Sequence, residues 1–82
     1  MSFKIHMPSH LLMDRQLIGD RVKRLRLAAG WSQTELANRA GVSRNTIVRM
    51  ETSTQGLPID AYLVVADALG VPAWRLFRDE DE

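Results

Sequence analysis

Two helix starts, eleven positions apart, constrain this chain more than any other feature. The first is Trp31-Ser32-Gln33-Thr34-Glu35-Leu36. Ser32 suits the cap position, and Glu35 three residues on completes a capping box. Trp31 and Leu36 flank the pair at the spacing of a hydrophobic staple. This helix is predicted to run to about Ala40, where Gly41 stops it. The second start is Val42-Ser43-Arg44-Asn45-Thr46-Ile47, with Ser43 as cap and Val42 with Ile47 as staple. Ile47 and Met50 give this helix its inward stripe, and it is predicted to end near Glu51 or Thr52. Two short helices are thus joined by a turn of about three or four residues around Gly41. Ala37 is small where they must approach, and Leu36, Val42 and Ile47 supply shared apolar contact.

The flanks read as further helices. Ile18, Val22, Leu25 and Ala29 are spaced four, three and four, one face of a helix. Its other face carries Arg21, Lys23, Arg24 and, near the edge, Arg26, and Gly30 ends it. After a polar loop, Thr52 to Gly56, a fourth helix is expected with Pro58 in or near its first turn. Ile59, Leu63, Ala66 and Leu69 form its predicted apolar stripe, and Gly70 ends it. Val71 to Phe77 reads as a short last helix. Ahead of these, Ser9 could cap a short helix, and Met1 to His10 has no clear period. No strand is evident. The predicted fold is all-α, a compact bundle of four to five helices. Residues 1–14 are expected to be an arm, flexible or a short extra helix, residues 15–78 the domain, with its paired helices at 32–51, and residues 79–82 an acidic tail. A chain of 82 residues supplies one domain with a thin core.

The eleven Lys and Arg nearly cancel the ten Asp and Glu, for a net charge of +1. However, four of the acids are Asp79, Glu80, Asp81 and Glu82, which leaves the rest of the chain at +5. Nine of the eleven bases are arginine, whose planar fork suits phosphate and guanine. Glu35 is the only acid between Asp20 and Glu51. With Ile47 and Met50 pointing in, Arg44, Asn45, Val48 and Arg49 lie on the other faces of their helix. Arginine holds the O6 and N7 of guanine, asparagine the N6 and N7 of adenine, and valine a thymine methyl. The alternative for each is a solvated helix residue, and for Asn45 support of the local turn.

The string from Ile18 through Ala29-Gly30-Trp31-Ser32-Gln33-Thr34-Glu35-Leu36-Ala37, then Ala40-Gly41-Val42-Ser43-Arg44-Asn45-Thr46-Ile47 and Glu51, resembles the Cro/phage-repressor-like helix-turn-helix family, also called the XRE family. The likeness covers residues 18–78. It implies a phage-repressor type of DNA-binding domain that acts as a symmetric dimer and regulates transcription, commonly as a repressor. It also implies roles residue by residue. Arg44, Asn45 and Arg49 would read bases, joined by Val48 from its place on the same outward face. Gln33 would clamp a phosphate and buttress the reading helix. Ser43, Thr46, Thr52 and Ser53 would complete the phosphate contacts, joined by Arg24 from the outer face of its helix. Arg26 and Glu51 would form a structural ion pair between the first and third helices. The loop Thr52-Ser53-Thr54-Gln55-Gly56 departs from the family's usual Asn-Gly and basic residue.

Apolar side chains remain after so small a core is filled. Val64, Val65, Trp74, Leu76 and Phe77 are the expected dimer surface, although Trp74, Leu76 and Phe77, like Trp31, also read as core. A two-fold dimer would set its reading helices about 34 Å apart, on a near-palindromic operator. The partners expected are double-stranded DNA and a second copy of the chain. The competing reading is an antitoxin that binds a toxin or other protein and regulates its own operon.

The chain has no cysteine, which excludes disulfides, a thiolate zinc site and a cysteine nucleophile. His6 and His10 are four apart, but Pro8 between them opposes the helix that would align them, so no metal is expected. No nucleophile–base grouping or phosphate-cradling glycine loop is evident, so neither catalysis nor a cofactor is expected. No apolar run approaches the length of a bilayer. Met1 to Met13 has neither the continuous apolar core nor the cleavage site of a signal peptide, and a cytoplasmic, nucleoid-associated location is expected.

Overall fold

The computed structural model describes residues 8–52 and 56–78, with the side chains of the first helix described from Gln16 onward. Residues 1–7, 53–55 and 79–82 lie outside it, and with them the expected roles of His6, Ser53 and the acidic tail. Four α-helices follow one another: α1 (Ser9–Ala28), α2 (Gln33–Ala40), α3 (Arg44–Thr52) and α4 (Ile59–Leu69). A 3₁₀ helix, Ala73–Leu76, comes last. The described residues include no strand, in keeping with the all-α expectation.

The paired starts form as their residues require. Ser32 caps α2, its Oγ accepting the Glu35 N–H at 3.0 Å. The reciprocal half of the capping box is absent, because the Glu35 carboxylate instead accepts from Arg39 Nε at 2.8 Å, one helical turn on. At the far end Gly41 takes φ of 74°, and the Val42 N–H reaches back to the Ala37 carbonyl at 3.0 Å. A side chain would strain that left-handed backbone, which glycine adopts freely. Two residues later Ser43 Oγ accepts the Thr46 N–H at 3.1 Å and opens α3.

Helix α1 differs from expectation. It is continuous from Ser9 and passes without a break through the boundary expected at residues 14 and 15. Extended Pro8 occupies the cap position and no side chain caps the helix, so Ser9 is its first residue rather than its cap. Nor are Arg21 and Arg26 on a solvent face. Both are buried, while Ala29 is exposed.

The core is Val22 from α1, Leu36 and Ala37 from α2, Ile47 and Met50 from α3, Val65 and Ala66 from α4, and Leu76. Helix α3 packs between α1 and α2, while α4 covers α2 and the 3₁₀ helix closes on α1 and α4. In α4, Ile59 and Leu63 are exposed, and the inward face is Tyr62, Val65, Ala66 and Leu69. The stripe is rotated toward the surfaces that α2 and the 3₁₀ helix present to α4, which the spacing from Ile59 does not reveal. Val65 and Leu76 are consequently inaccessible core residues and not part of an apolar remainder. Trp74 and Phe77, by contrast, are nearly half exposed.

Gly19 fixes how α1 meets α3. A Cβ there would stand 2.5 Å from the Met50 carbonyl oxygen and 2.9 Å from that of Glu51. The bare backbone of α1 therefore lies directly on the last turn of α3. That close approach brings Arg26, two turns further along the same face, to Glu51.

Candidate nucleic-acid interface

Helix α3 divides sharply. Ile47, Met50 and Glu51 are buried, and Arg44, Asn45 and Arg49 are exposed. At 100° per residue, Asn45 and Arg49 stand opposite the buried face, with Arg44 and Val48 beside them on one flank and Thr46 on the other. Val48 and Thr46 are half-buried. The four residues expected to read bases thus share one surface, and the first two occupy the first turn of the helix.

A chain of hydrogen bonds ties that surface to the core. Arg26 Nε donates to Glu51 Oε2 at 2.7 Å and its Nη2 to Glu51 Oε1 at 3.0 Å, a bidentate pair with both side chains almost wholly buried. Arg26 Nη1 donates to the Trp31 carbonyl at 2.8 Å, where α1 gives way to α2. The hydrogen bonds that Arg26 donates to Glu51, reinforced by the carboxylate charge and opposed by burial, hold the Arg26 guanidinium above its ordinary pKa. Glu51 Oε1 also accepts from Gln33 Nε2 at 3.3 Å. Gln33 Oε1 in turn accepts from Arg44 Nη2 at 3.4 Å. Gln33, the first residue of α2, thereby has both ends of its amide engaged. One holds it to the buried pair and the other faces the first residue of α3.

The expected phosphate contacts divide. Ser43 and Thr46 stand together at the start of α3, while Gln33 opens α2 on the flank of α3 that carries Arg44. Ser43 Oγ and Thr46 Oγ1 are 2.9 Å apart, so one of the two hydroxyl protons is shared between them. The other is available to an acceptor outside. Thr52 spends its hydroxyl proton on the Val48 carbonyl at 2.6 Å, within its own helix. Arg24 is not brought to either of these places. It stands two positions before Arg26, hence about 200° around α1 from the side that faces α3. There it lines a concavity with Arg21 and Arg75.

Sequence reasoning missed Arg39. It pairs with Glu35 and places its guanidinium 4.3 Å from the Trp31 ring centre. The i, i+4 spacing of Glu35 and Arg39 was the available signal. The expected dimer residues also part company. Phe77 meets Tyr62, with ring centres 5.9 Å apart. Val64 instead lines a groove of about 470 Å³ with Val42, Thr46, Arg49, Leu57 and Pro58. Tyr62 and Val64 are about 200° apart around α4, so these are different flanks. Among the described residues no group of three or more His, Asp or Glu could hold a metal ion, and no helix is long and apolar enough to cross a membrane.

Known proteins share this arrangement. A family model described as a helix-turn-helix domain matches residues 17–76. The HTH-type transcriptional regulator SinR of Bacillus licheniformis is 34% identical over 67 residues, which are 80% of this chain. The match spans 60% of that regulator's length. The N-terminal DNA-binding domain of SinR from Bacillus subtilis superposes with a TM-score of 0.73 at 31% identity, over 82% of this chain and 99% of that one. The restriction-modification controller protein C.AhdI of Aeromonas hydrophila gives 0.75 at 31% identity, over 79% of this chain and 98% of that one. A hypothetical transcription factor from Neisseria gives 0.76 at 26%, over 98% and 91%. The chain belongs to the helix-turn-helix domain family, within its Cro/phage-repressor-like, or XRE, group.

Proposed function

We propose that this protein is a sequence-specific transcriptional regulator that lays the first turn of α3 in the major groove, as a symmetric dimer on a near-palindromic operator. One observation carries the reading. Arg44, Asn45 and Arg49 stand together on the exposed face of a helix whose opposite face is anchored in the core through Glu51 and Arg26. Arg44 and Arg49 are suited to guanine and Asn45 to adenine, while Val48 is placed for a thymine methyl. Gln33, Ser43 and Thr46 border that face at the level of a phosphate backbone and would set the depth and register of docking. Glu51 holds Gln33, and Gln33 meets Arg44, so the reading side chain is oriented before DNA arrives. The relatives named as a transcriptional regulator, a DNA-binding domain and a controller protein support the same role.

The dimer surface we infer is the exposed apolar arc of Ile59 and Leu63 with Tyr62 and Phe77 beside it. Val65 and Leu76 are not part of it, because they are core. The function is tested by selecting bound sequences from random duplexes and measuring affinity at two salt concentrations. An enriched near-palindrome with half-sites about one helical turn apart is expected. Binding without enrichment and with steep salt dependence would reduce the surface to a phosphate binder. A folded protein that binds no duplex at low salt would overturn the reading.

A further inference from the structure

Val48 has no place in the core. It is the one apolar residue of α3 that is not buried. Nor does it belong to the partly buried apolar residues that pack against the core. Its branched side chain also lowers helix propensity, so neither packing nor helix formation accounts for a valine there. Its neighbour on the helix surface is Arg44. The two stand one turn apart, about 40° around α3 and about 6 Å along it, which is less than two base-pair steps of about 3.4 Å. The next residue on that flank, Thr52, spends its hydroxyl proton on the Val48 carbonyl at 2.6 Å. Arg44 Nη2 faces Gln33 Oε1 at 3.4 Å. That contact uses one of the five N–H donors of a guanidinium and leaves enough for a bidentate hold on guanine.

A base pair beside that guanine therefore meets an apolar group where Val48 stands. Thymine shows the major groove an O4 acceptor and a C5 methyl, cytosine an N4 donor and a bare C5. The valine side chain neither donates nor accepts a hydrogen bond, so it cannot tell the carbonyl of thymine from the amine of cytosine. The methyl group is all that it can read. 5-Methylcytosine carries the same methyl on the same carbon.

We propose that Val48 reads the C5 methyl of one pyrimidine near the guanine held by Arg44, and that 5-methylcytosine is accepted there as thymine is. Methylation of a cytosine at that position then strengthens binding, and a covalent mark on the DNA tunes occupancy of the site. The inference rests on the assignment of α3 as the base-reading helix.

The test uses the full chain and its selected operator, with affinity measured by fluorescence anisotropy. In one half-site each thymine is replaced in turn by deoxyuridine, which lacks only the methyl. One replacement is expected to weaken binding about fourfold, which is what burial of a single methyl group supplies. At that position a cytosine–guanine pair should bind worse than the thymine–adenine pair, and a 5-methylcytosine–guanine pair should recover about fourfold. Val48→Ala should erase the difference between cytosine and 5-methylcytosine, while preferences elsewhere in the half-site persist. Three results would each overturn the proposal and leave sequence-specific binding intact: indifference to every thymine methyl, 5-methylcytosine no better than cytosine, or a methyl response that survives Val48→Ala. The absence of any preferred operator would instead overturn the assignment of α3, and this inference with it.

Discussion

Arg26 and Glu51 lie twenty-five positions apart in sequence and meet through two hydrogen bonds, at 2.7 and 3.0 Å, in a site almost closed to water. The pair joins α1 to the last turn of α3. Taking one partner away leaves a charge buried without its counter-ion. Glu51→Ala or Arg26→Ala is therefore expected to cost about 3–5 kcal/mol of stability, a large share of what a domain this small possesses. Urea denaturation followed by circular dichroism would measure it. Replacing both at once with methionine should be much milder than either single change, because desolvation of the charges is then avoided. A double variant as unstable as the singles would show that the pair's hydrogen bonds, and not its charges, hold the helices.

Gly19 makes an opposite demand on the same contact. In the middle of a helix, alanine is ordinarily favoured over glycine by about 1 kcal/mol. Here the added methyl would stand 2.5 Å from a backbone carbonyl oxygen that a rotamer change cannot move. Overpacking of this kind costs roughly 1–3 kcal/mol, so the clash outweighs the propensity. Gly19→Ala should lower the denaturation midpoint, and α1 and α3 must part slightly to admit it. An increase in stability would mean that α1 does not lie against α3 in solution as described.

Arg44 and Gln33 should be coupled in DNA binding. Arg44→Ala is expected to weaken the selected operator by about 1–3 kcal/mol and to relax discrimination at one base pair, with little change in thermal stability. Gln33→Ala removes an assigned phosphate contact and the group that Arg44 Nη2 faces at 3.4 Å. It should lower affinity for all duplexes and also reduce the penalty of a subsequent Arg44→Ala. A double-mutant cycle on operator affinity is expected to give a coupling of about 0.5–1.5 kcal/mol. Strict additivity would leave Gln33 as a phosphate contact alone.

The paired helices were legible in the sequence because their signals are local. A cap serine, an apolar flank and a glycine stop each act within a few residues, and Ser32, Gly41 and Ser43 all behave accordingly. The exposed face of α3 followed from Ile47 and Met50 by helical geometry. What could not be read depends on packing between distant segments. Gly19 looks like an ordinary helix residue until the α3 carbonyls are placed against it. The inward face of α4 was assigned about 60° away, since Ile59 and Leu63 match a helical stripe as well as Tyr62 and Val65 do. The docking of α4 on both α2 and the 3₁₀ helix decides between them. Arg24 was assigned to phosphate as a base on the outer face of its helix, and the turn of α1 carries it to the other side of the molecule.

The same rotation of α4 yields the last prediction. Ile59 and Leu63 are 60% and 45% exposed, and Phe77, in contact with Tyr62, is 44% exposed. Ile59, Leu63 and Tyr62 occupy neighbouring positions around α4, with Phe77 packed on Tyr62, and burying these groups against a second copy would remove them from water at about 25 cal/mol per Å². Leu63→Glu with Phe77→Glu should leave the monomer folded, since Val65, Ala66 and Leu76 beneath them are untouched. The pair should shift the protein to monomer in sedimentation equilibrium and abolish the preference for a two-half-site operator over a single half-site. Val64→Glu, on the opposite flank beside Arg49, serves as the contrast and should leave the oligomeric state unchanged. Dimerisation that survives the first pair but fails with Val64→Glu would move the two-fold axis to the groove beside α3.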